Sequence, residues 1–158
     1  MTTTNEITIR DYEPIHQPWF EHLNRQWIEE YFTMEELDKQ VLQHPDEHII
    51  AKGGRILMAF HNGEIAGTVA LKYSQPGVFE FTKMAVSEKF RGKGIGQVLA
   101  EAAIGKAKSL NAHKIILYSS SKLTPALALY RKLGFVHLPV DGPYKRSDVK
   151  MELNLLSN

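Results

Sequence analysis

Hydrophobic and polar positions recur along the chain in a pattern that predicts a mixed α/β protein. Near the N-terminus, Ile7-Thr8-Ile9-Arg10 alternates, which predicts a first strand. From Trp19 to Phe32, aromatic and aliphatic residues recur at three- and four-residue steps, which predicts an amphipathic helix. A second, short helix is predicted over Met34–Leu42, with Thr33 as its N-cap and Glu36 in the capping-box position.

Strand candidates dominate the middle of the chain. Runs of β-branched and aromatic residues predict strands over 48–51, Ile56–Phe60, Ile65–Tyr73 and Phe79–Val86. The second and third of these runs are joined by His61-Asn62-Gly63-Glu64, and an Asn-Gly pair in that position is typical of a two-residue β-hairpin.

Helices and strands alternate in the C-terminal half. A helix is predicted over about 95–110, a buried strand over Lys114–Ser119, and final strands over Phe135–Leu138 and Asp148–Leu155. Between them, a helix is predicted to start with Thr124 as N-cap, followed by a proline, and to end at Gly134.

Composition limits the class of protein. The chain has 158 residues, of which 43% are hydrophobic, so we expect one domain over residues 1–158. The net charge of +1 gives no bulk electrostatic reason to expect nucleic-acid or membrane binding. The chain has no cysteine, no apolar run long enough to span a membrane and no signal-peptide pattern at its N-terminus, so we expect a cytoplasmic protein.

A basic glycine turn follows the strand that ends at Val86. The turn is Arg91-Gly92-Lys93-Gly94-Ile95-Gly96, directly before a predicted helix. Glycines let several backbone N–H groups converge on one point, and the start of a helix adds unpaired N–H groups and a positive dipole end. The turn is therefore predicted to bind a phosphate or pyrophosphate. It fits neither the dinucleotide pattern, because Gln97 follows Gly96, nor the P-loop pattern, because Gly94 follows Lys93.

The turn instead fits the pattern Arg-x-x-Gly-x-Gly/Ala after a strand that ends in Val. A second stretch, Ala126–Phe135, fits the pattern A-x-x-L-Y-x-K-x-G-F. Together, in this order, the two motifs resemble those of the GCN5-related N-acetyltransferases (the GNAT family), over about residues 78–137. The resemblance implies a mixed, mostly antiparallel twisted sheet of about seven strands with helices on both faces. It also implies that the strands ending at Val86 and Ser119 splay apart and form a cleft for acetyl-CoA.

The same resemblance implies how acetyl-CoA is held. The pantetheine arm is expected to pair with the main chain of Met84, Ala85 and Val86. The pyrophosphate is expected at the glycine turn, where the binding residues are Arg91, Gly92, Lys93, Gly94, Ile95 and Gly96. No metal is expected. The family often carries Asn three residues before the Ala of the second motif, but Leu123 stands at that position here, so Ser119, Ser120, Ser121 or Thr124 is left to replace it.

Two residues are predicted to carry the chemistry. By resemblance, Tyr130 is the general acid, since a phenol of pKa ~10 can protonate a leaving thiolate of Cys-like pKa ~8.5. An amine of pKa ~10.4 is under ~0.1% neutral at pH 7, so a base is needed as well. Glu80 is the candidate because it is expected on the strand face of Met84 and Val86, with Tyr118 and His137 as alternatives. The structural interpretation of Glu80 is an ion pair with a nearby lysine.

The acceptor site is expected to be aromatic. Trp27, Tyr31, Phe32 and Tyr144 are predicted to wall it, although some of these side chains also fit a purely structural role in the core. The resemblance and these residues together indicate an acetyl-CoA-dependent N-acetyltransferase acting on the primary amine of a small molecule. Direct attack in a ternary complex is expected, because the chain has no Cys to carry an acyl group. The alternatives are a non-catalytic acyl-CoA-binding module and a protein N-terminal or lysine acetyltransferase, and the sequence is compatible with a homodimer.

Overall fold

Seven strands form one sheet in the computed structural model, which describes residues 6–141 and 145–156. The strands are β1 Ile7–Asp11, β2 Arg55–His61, β3 Glu64–Gln75, β4 Val78–Val86, β5 Lys114–Ser119, β6 Val136–Leu138 and β7 Val149–Asn154. Their order across the sheet is β1-β2-β3-β4-β5-β7-β6, and of these neighbours only β4 and β5 are parallel. The predicted fold class, a mixed and mostly antiparallel sheet with helices, is thereby confirmed.

Four helices cover the two faces of the sheet. They are α1 Gln17–Tyr31, α2 Glu36–Gln43, α3 Ile95–Ser109 and α4 Thr124–Lys132. Along β2, Ile56 and Met58 pack with α1 and α2, whereas Leu57 and Ala59 pack with α3 and α4. Successive strand residues point to opposite faces, so this split places one helix pair on each face. None of the helices in the described parts of the chain is long and apolar enough to cross a membrane.

Three local predictions are wrong. The 48–51 segment is not a strand but part of a helical turn over Asp46–Ile50, in which only Ile49 is fully buried, so it has no two-residue alternation to support a sheet. Thr33 is not the N-cap of α2, because the helix starts later and Glu35 is its N-cap. Thr124 is the first residue of α4 rather than its N-cap, a position held by Leu123.

The β2–β3 hairpin and the end of α4 form as predicted. Asn62 and Gly63 have φ values of 49° and 86°, as the predicted Asn-Gly turn requires. Gly134 has a φ of 102° directly after the C-cap of α4, where a glycine ends many helices.

The single parallel ladder ends early. β4 and β5 pair from Val78 with Lys114 to Phe81 with Leu117, and beyond those residues each strand continues without the other. Within the unpaired part of β4, Lys83 has a φ of 54°, and the pairing with β3 shifts register there. A bulge of this kind bends a strand. The predicted splay between β4 and β5 is therefore present, and it opens the sheet from one face to the other.

Candidate active site

A cavity of about 220 Å³ occupies the opening between β4 and β5. Its walls come from 80–86 of β4, from 117–120 at the end of β5, and from the C-terminal end of α1. Arg91, Tyr130 and Arg146 complete it. The cavity thus contains the predicted general acid and most of the predicted acceptor site, and it reaches the glycine turn at Arg91.

The glycine turn is open toward solvent. Gly92 and Gly94 have φ values of 79° and 80°, and a Cβ at either position would meet no atom within 4 Å. The first N–H that bonds within α3 is that of Val98, to the Gly94 carbonyl at 3.1 Å, so the N–H groups of 95–97 have no partner in the helix. The side chain of Ile95 is buried in the core, which leaves its backbone for binding.

The residues predicted to hold pantetheine lie along the unpaired edge of β4. Met84, Ala85 and Val86 all line the cavity. On their other side, Ala85 and Val86 pair with Thr68 and Gly67 of β3. The edge of β4 that faces β5 lacks a strand partner at this level, so an extended ligand with amide groups can pair with it.

Tyr130 is held rigidly at the cavity. Its side chain is 7% exposed, and its ring packs edge-on against Phe81 at 5.6 Å and is tilted against Phe135 at 5.8 Å between centroids. Burial raises the pKa of the Tyr130 hydroxyl, so the group keeps its proton at neutral pH. Tyr130 therefore both packs in the core and lines the cavity.

Glu80 lines the cavity, but not on the predicted strand face. Phe81, its neighbour on β4, packs on the α3–α4 side of the sheet, so Glu80 points to the α1–α2 side. Met84 and Val86 pack instead on the α3–α4 side, close to Gly96 of the turn. In a regular strand, Glu80 and Met84 would share a face because they are four residues apart. The bulge at Lys83 adds a residue to β4 and places them on opposite faces.

The electrostatic environment of Glu80 suits a base. The side chain is 9% exposed. Burial raises the pKa of the Glu80 carboxyl, and the charges of Lys72 and Lys83 and a hydrogen bond with Thr82 only partly oppose this. A carboxylate with a raised pKa holds a proton more strongly than a solvated one.

Three of the four aromatic residues predicted for the acceptor site line the cavity. Trp27 and Phe32 meet edge to face with centroids 6.1 Å apart, and both also pack against the α1–α2 core, so they have a structural role as well as a position at the cavity. Tyr31 lines the cavity and is 46% exposed. Tyr144 lies outside the described residues.

The alternative residues have distinct positions. Tyr118 lines the cavity, and its hydroxyl donates to Asp141 Oδ1 at 3.1 Å. His137 is exposed on β6 and does not line the cavity. Ser119 and Ser120 line the cavity near Leu123, whereas Ser121 is tied to a carboxylate on the surface.

Sequence reasoning missed a buried ion cluster beside the cavity. Asp38 of α2 is fully buried, and its carboxylate accepts from Lys83 Nζ at 3.0 Å. It also accepts from both terminal nitrogens of Arg146, at 2.7 and 2.8 Å, and from the Glu35 N–H at 3.0 Å. Glu35 itself binds Arg146 at 3.3 Å. The available signals were an aspartate beside Val41 and Leu42 on one helix face and a lysine within an apolar strand.

The members of the cluster perturb one another. Burial alone would raise the pKa of Asp38, but the hydrogen bond from Arg146 and the charge of Lys83 outweigh it and lower the pKa to about 2. Burial lowers the pKa of Lys83 against the attraction of Asp38. Asp38 and Lys83 therefore favour each other's charged form, and Arg146 adds a permanent positive charge that favours the carboxylate.

Solved structures share this fold. An acetyltransferase of the GNAT family from Staphylococcus aureus Mu50 superposes with a TM-score of 0.86 over 95% of this chain and 99% of that one, at 20% identity. The acetyltransferase yncA of Salmonella typhimurium, solved with its cofactor acetyl-CoA, gives a TM-score of 0.75 over 98% and 96% of the two chains, at 19% identity. The fold is that of the acetyltransferases.

The family follows from sequence as well. The model of the acetyltransferase (GNAT) family matches residues 16–135. The chain belongs to the GNAT family, which confirms the resemblance seen in its motifs and, at the level of the family, acetyl-CoA as the cosubstrate.

Relatives by sequence carry acetyltransferase names. The N-acetyltransferase YvbK of Bacillus subtilis is 34% identical over 107 residues, which cover 65% of this chain and 69% of that protein. The mycothiol acetyltransferase of Pseudarthrobacter chlorophenolicus is 34% identical over 96 residues, or 59% of this chain. That match spans only 28% of the mycothiol acetyltransferase, so most of that protein lies outside the alignment.

Replacing Asp38 should reveal the strength of the ion cluster. We expect Asp38→Asn to lower the free energy of unfolding by about 3 to 5 kcal/mol at pH 7, because Lys83 and Arg146 lose their shared buried partner. The native pKa of about 2 lies below the ordinary value of 3.8, so this stabilisation is present above pH 4 and is lost as the pH falls toward 2.

Urea unfolding at pH 7, 5, 4 and 3 measures both effects. The matched control is Glu36→Gln, which removes the same charge from an exposed position in the same helix. A difference in the free energy of unfolding between wild type and Asp38→Asn that stays constant down to pH 3 would contradict the assigned pKa. An equal loss of stability in the Glu36 variant would contradict the role given to the buried ion cluster.

Proposed function

We propose that this protein transfers the acetyl group of acetyl-CoA to the primary amine of a small molecule, by direct attack in a ternary complex. The observation that carries the proposal is the early end of the β4–β5 ladder. It opens a cavity that is lined by Tyr130, Glu80 and Arg91, the first residue of the glycine turn.

The residues at the cleft fit acetyl-CoA. The pyrophosphate fits at the open turn, where backbone N–H groups of 95–97 and the side chain of Arg91 supply positive charge. Lys93 lies exposed in the same turn and adds a second cation. The pantetheine arm fits along the unpaired edge of Met84, Ala85 and Val86. When bound, acetyl-CoA supplies an acetyl group activated as a thioester.

Two side chains then move protons. Glu80, directly or through a water, accepts the proton that the ammonium of the acceptor loses, and this frees the nitrogen lone pair for attack on the acetyl carbon. A C–N bond forms and the C–S bond breaks. The nitrogen carries one excess proton after the attack and loses it as the amide forms. Tyr130 donates its hydroxyl proton to the departing thiolate and regains one from that nitrogen through a water, and Glu80 releases its own proton to solvent when the products leave. The rigid packing of Tyr130 supports this role, because a fixed donor loses little entropy in the reaction.

Two features favour a small-molecule enzyme over the alternatives. A module that only binds acyl-CoA has no use for a buried carboxyl with a raised pKa at the acceptor end of the cavity, whereas Glu80 is such a group. A protein acetyltransferase needs an open groove for a peptide, whereas this site is a cavity of about 220 Å³, lined on the α1–α2 side by Phe32 and by Arg146, whose guanidinium lies 5.9 Å from the Phe32 ring centroid.

The direct test is release of CoA thiol from acetyl-CoA across a panel of monoamines, amino acids, polyamines, aminoglycosides and short peptides. The chain has no cysteine, so a thiol reagent meets no protein background. Release that depends on a small amine, with the acetylated amine detected by mass spectrometry, supports the proposal. Release with peptides alone supports a protein acetyltransferase, and tight acetyl-CoA binding without release from any acceptor supports the binding module.

The predicted pyrophosphate binding at the glycine turn can be tested by introducing one carboxylate there. We expect Gly94→Asp to weaken acetyl-CoA binding at least about tenfold in calorimetry, because a carboxylate would stand among the N–H groups that face the pyrophosphate. Gly63→Asp is the matched control, since Gly63 also has a positive φ and open space around it but lies in the β2–β3 hairpin. Equal affinity in the two variants would remove the pyrophosphate from this turn.

The general acid can be tested by deleting one oxygen. Tyr130→Phe keeps the ring that packs against Phe81 and Phe135, so the protein should remain folded. We expect kcat to fall about 100-fold, because the thiolate must leave without a positioned proton donor, while calorimetric affinity for acetyl-CoA stays the same. A variant with wild-type kcat would exclude Tyr130 from proton transfer.

The base can be tested through the pH dependence. The raised pKa of Glu80 predicts that kcat/KM falls as the pH drops through that pKa, since only the carboxylate accepts a proton. We expect Glu80→Gln to lower kcat/KM about 100-fold and to abolish this acidic limb. An acidic limb that persists unchanged in Glu80→Gln would assign the base to another group, for which Tyr118 is the next candidate at the cavity.

A further inference from the structure

We propose that Asp38 determines the acceptor specificity of the cavity by neutralising the two cations in its wall, and that the acceptor is a cationic amine with an apolar body and no carboxylate. The inference rests on the proposed function, because it names the class of amine that the same cavity takes.

Two cations line the acceptor end of the cavity. Lys83 and Arg146 both lie on the α1–α2 side, where the aromatic residues of α1 are found. The amine acceptor arrives almost entirely as an ammonium at pH 7. Two uncompensated cations in a partly dry wall would repel it and would attract an anion instead.

Asp38 lies buried behind the cavity wall and offsets the charges of these two cations. Its side chain is fully buried, and it binds Lys83 at 3.0 Å and Arg146 at 2.7 and 2.8 Å. Glu35 adds a second carboxylate at 3.3 Å from Arg146. The two cations are thus offset by two carboxylates, and Glu80, which the charge of Lys83 also attracts, is a further carboxylate in the lining. Arg91, the remaining cation of the lining, belongs to the glycine turn. Lys72 also attracts Glu80 but does not line the cavity.

The geometry of Arg146 also argues against a carboxylate on the acceptor. The guanidinium directs both terminal nitrogens to Asp38 in a bidentate pair, which is the arrangement that would otherwise capture a substrate carboxylate. An acceptor with a carboxylate would have to compete with that buried pair and would add a second anion beside Glu80. An acceptor that offers only an ammonium meets a favourable charge.

The rest of the wall fits an apolar body. Trp27, Tyr31 and Phe32 line the cavity on the same side. Lys122 and Arg146 already lie over the Phe32 ring, at 5.2 and 5.9 Å from its centroid, so that ring is engaged by cations of the protein itself. The remaining aromatic surface, from Trp27 and Tyr31, provides apolar contact for the body of the acceptor.

Matched acceptors test the inference. Phenethylamine, phenylalanine amide and phenylalanine share one apolar body, and only the last carries a carboxylate. We expect wild-type kcat/KM, from thiol release, to be at least about tenfold higher for phenethylamine and for the amide than for phenylalanine. Preference for phenylalanine over the amide would overturn the inference while leaving the proposed function intact.

Variants of the ion cluster separate an effect of the Asp38 charge on specificity from a purely structural effect. We expect Asp38→Asn to reduce the ratio of kcat/KM for phenethylamine to kcat/KM for phenylalanine about tenfold. The double variant Asp38→Asn/Lys83→Met should restore this ratio, because it lacks one charge of each sign. Glu36→Gln should keep the wild-type ratio. If Asp38→Asn lowers kcat/KM equally for both acceptors, or if the double variant leaves the ratio altered, Asp38 acts only structurally and the inference fails. Thermal unfolding verifies that each variant is folded at the assay temperature.

A binding measurement distinguishes failure of this inference from failure of the proposed function. If no acceptor releases thiol, the proposed function fails, and calorimetry of phenethylamine and phenylalanine with the CoA-loaded protein then decides the inference alone. Tighter binding of phenethylamine that is weakened by Asp38→Asn supports it. Equal binding of the two ligands, or no binding of either, overturns it.

Discussion

The early end of the β4–β5 ladder is the constraint on which the rest of this structure depends. A sheet normally satisfies the backbone groups of each inner strand on both sides. Here β4 keeps its pairing with β3 to Val86, but loses β5 after Phe81, so a row of polar backbone groups lies open inside the protein. The opening connects the two helical layers, and therefore a ligand anchored at the start of α3 can present its far end to residues of α1 and α2. Such a passage would let a cosubstrate and an acceptor that enter from opposite sides meet inside the protein.

The ion cluster around Asp38 explains how the opening keeps its shape. Lys83 occupies the bulge of β4, Arg146 precedes β7, and Asp38 belongs to α2, so a single buried carboxylate joins three separate parts of the chain. Buried ion pairs contribute little net stability compared with apolar packing. Their value here lies in geometry and charge: the bulge is held in place, and two cations are kept beside the acceptor end of the cavity without making it cationic.

Much of the fold was predictable because its signals are local. Within the described residues, the two-residue and 3.6-residue periods identified the four α-helices and the seven strands, and the turn residues Asn62-Gly63 and Gly134 formed the expected structures. The 48–51 strand was wrong because β-branched residues favour strands, whereas burial of a single side chain, Ile49, decided the local structure. The start of α2 lies later than predicted because the N-cap is Glu35, whose backbone N–H donates to the Asp38 carboxylate.

The candidate site was predictable only where it consists of motifs. The glycine turn and Tyr130 lie in continuous stretches, and their residue types are dictated by backbone and proton chemistry. The face of Glu80 was not predictable, because a bulge leaves no mark in the alternation of β4. The partners of Asp38 stand 45 and 108 positions away in sequence, and only the folded chain brings them together.

Hydrogen exchange of the backbone amides, with and without CoA, tests the central claim most directly. If CoA binds in the opening between β4 and β5, its addition should slow exchange in two separate segments, 84–86 of β4 and 95–97 at the start of α3. Saturation with CoA that leaves both segments unchanged, or that protects only residues elsewhere in the chain, would contradict this account.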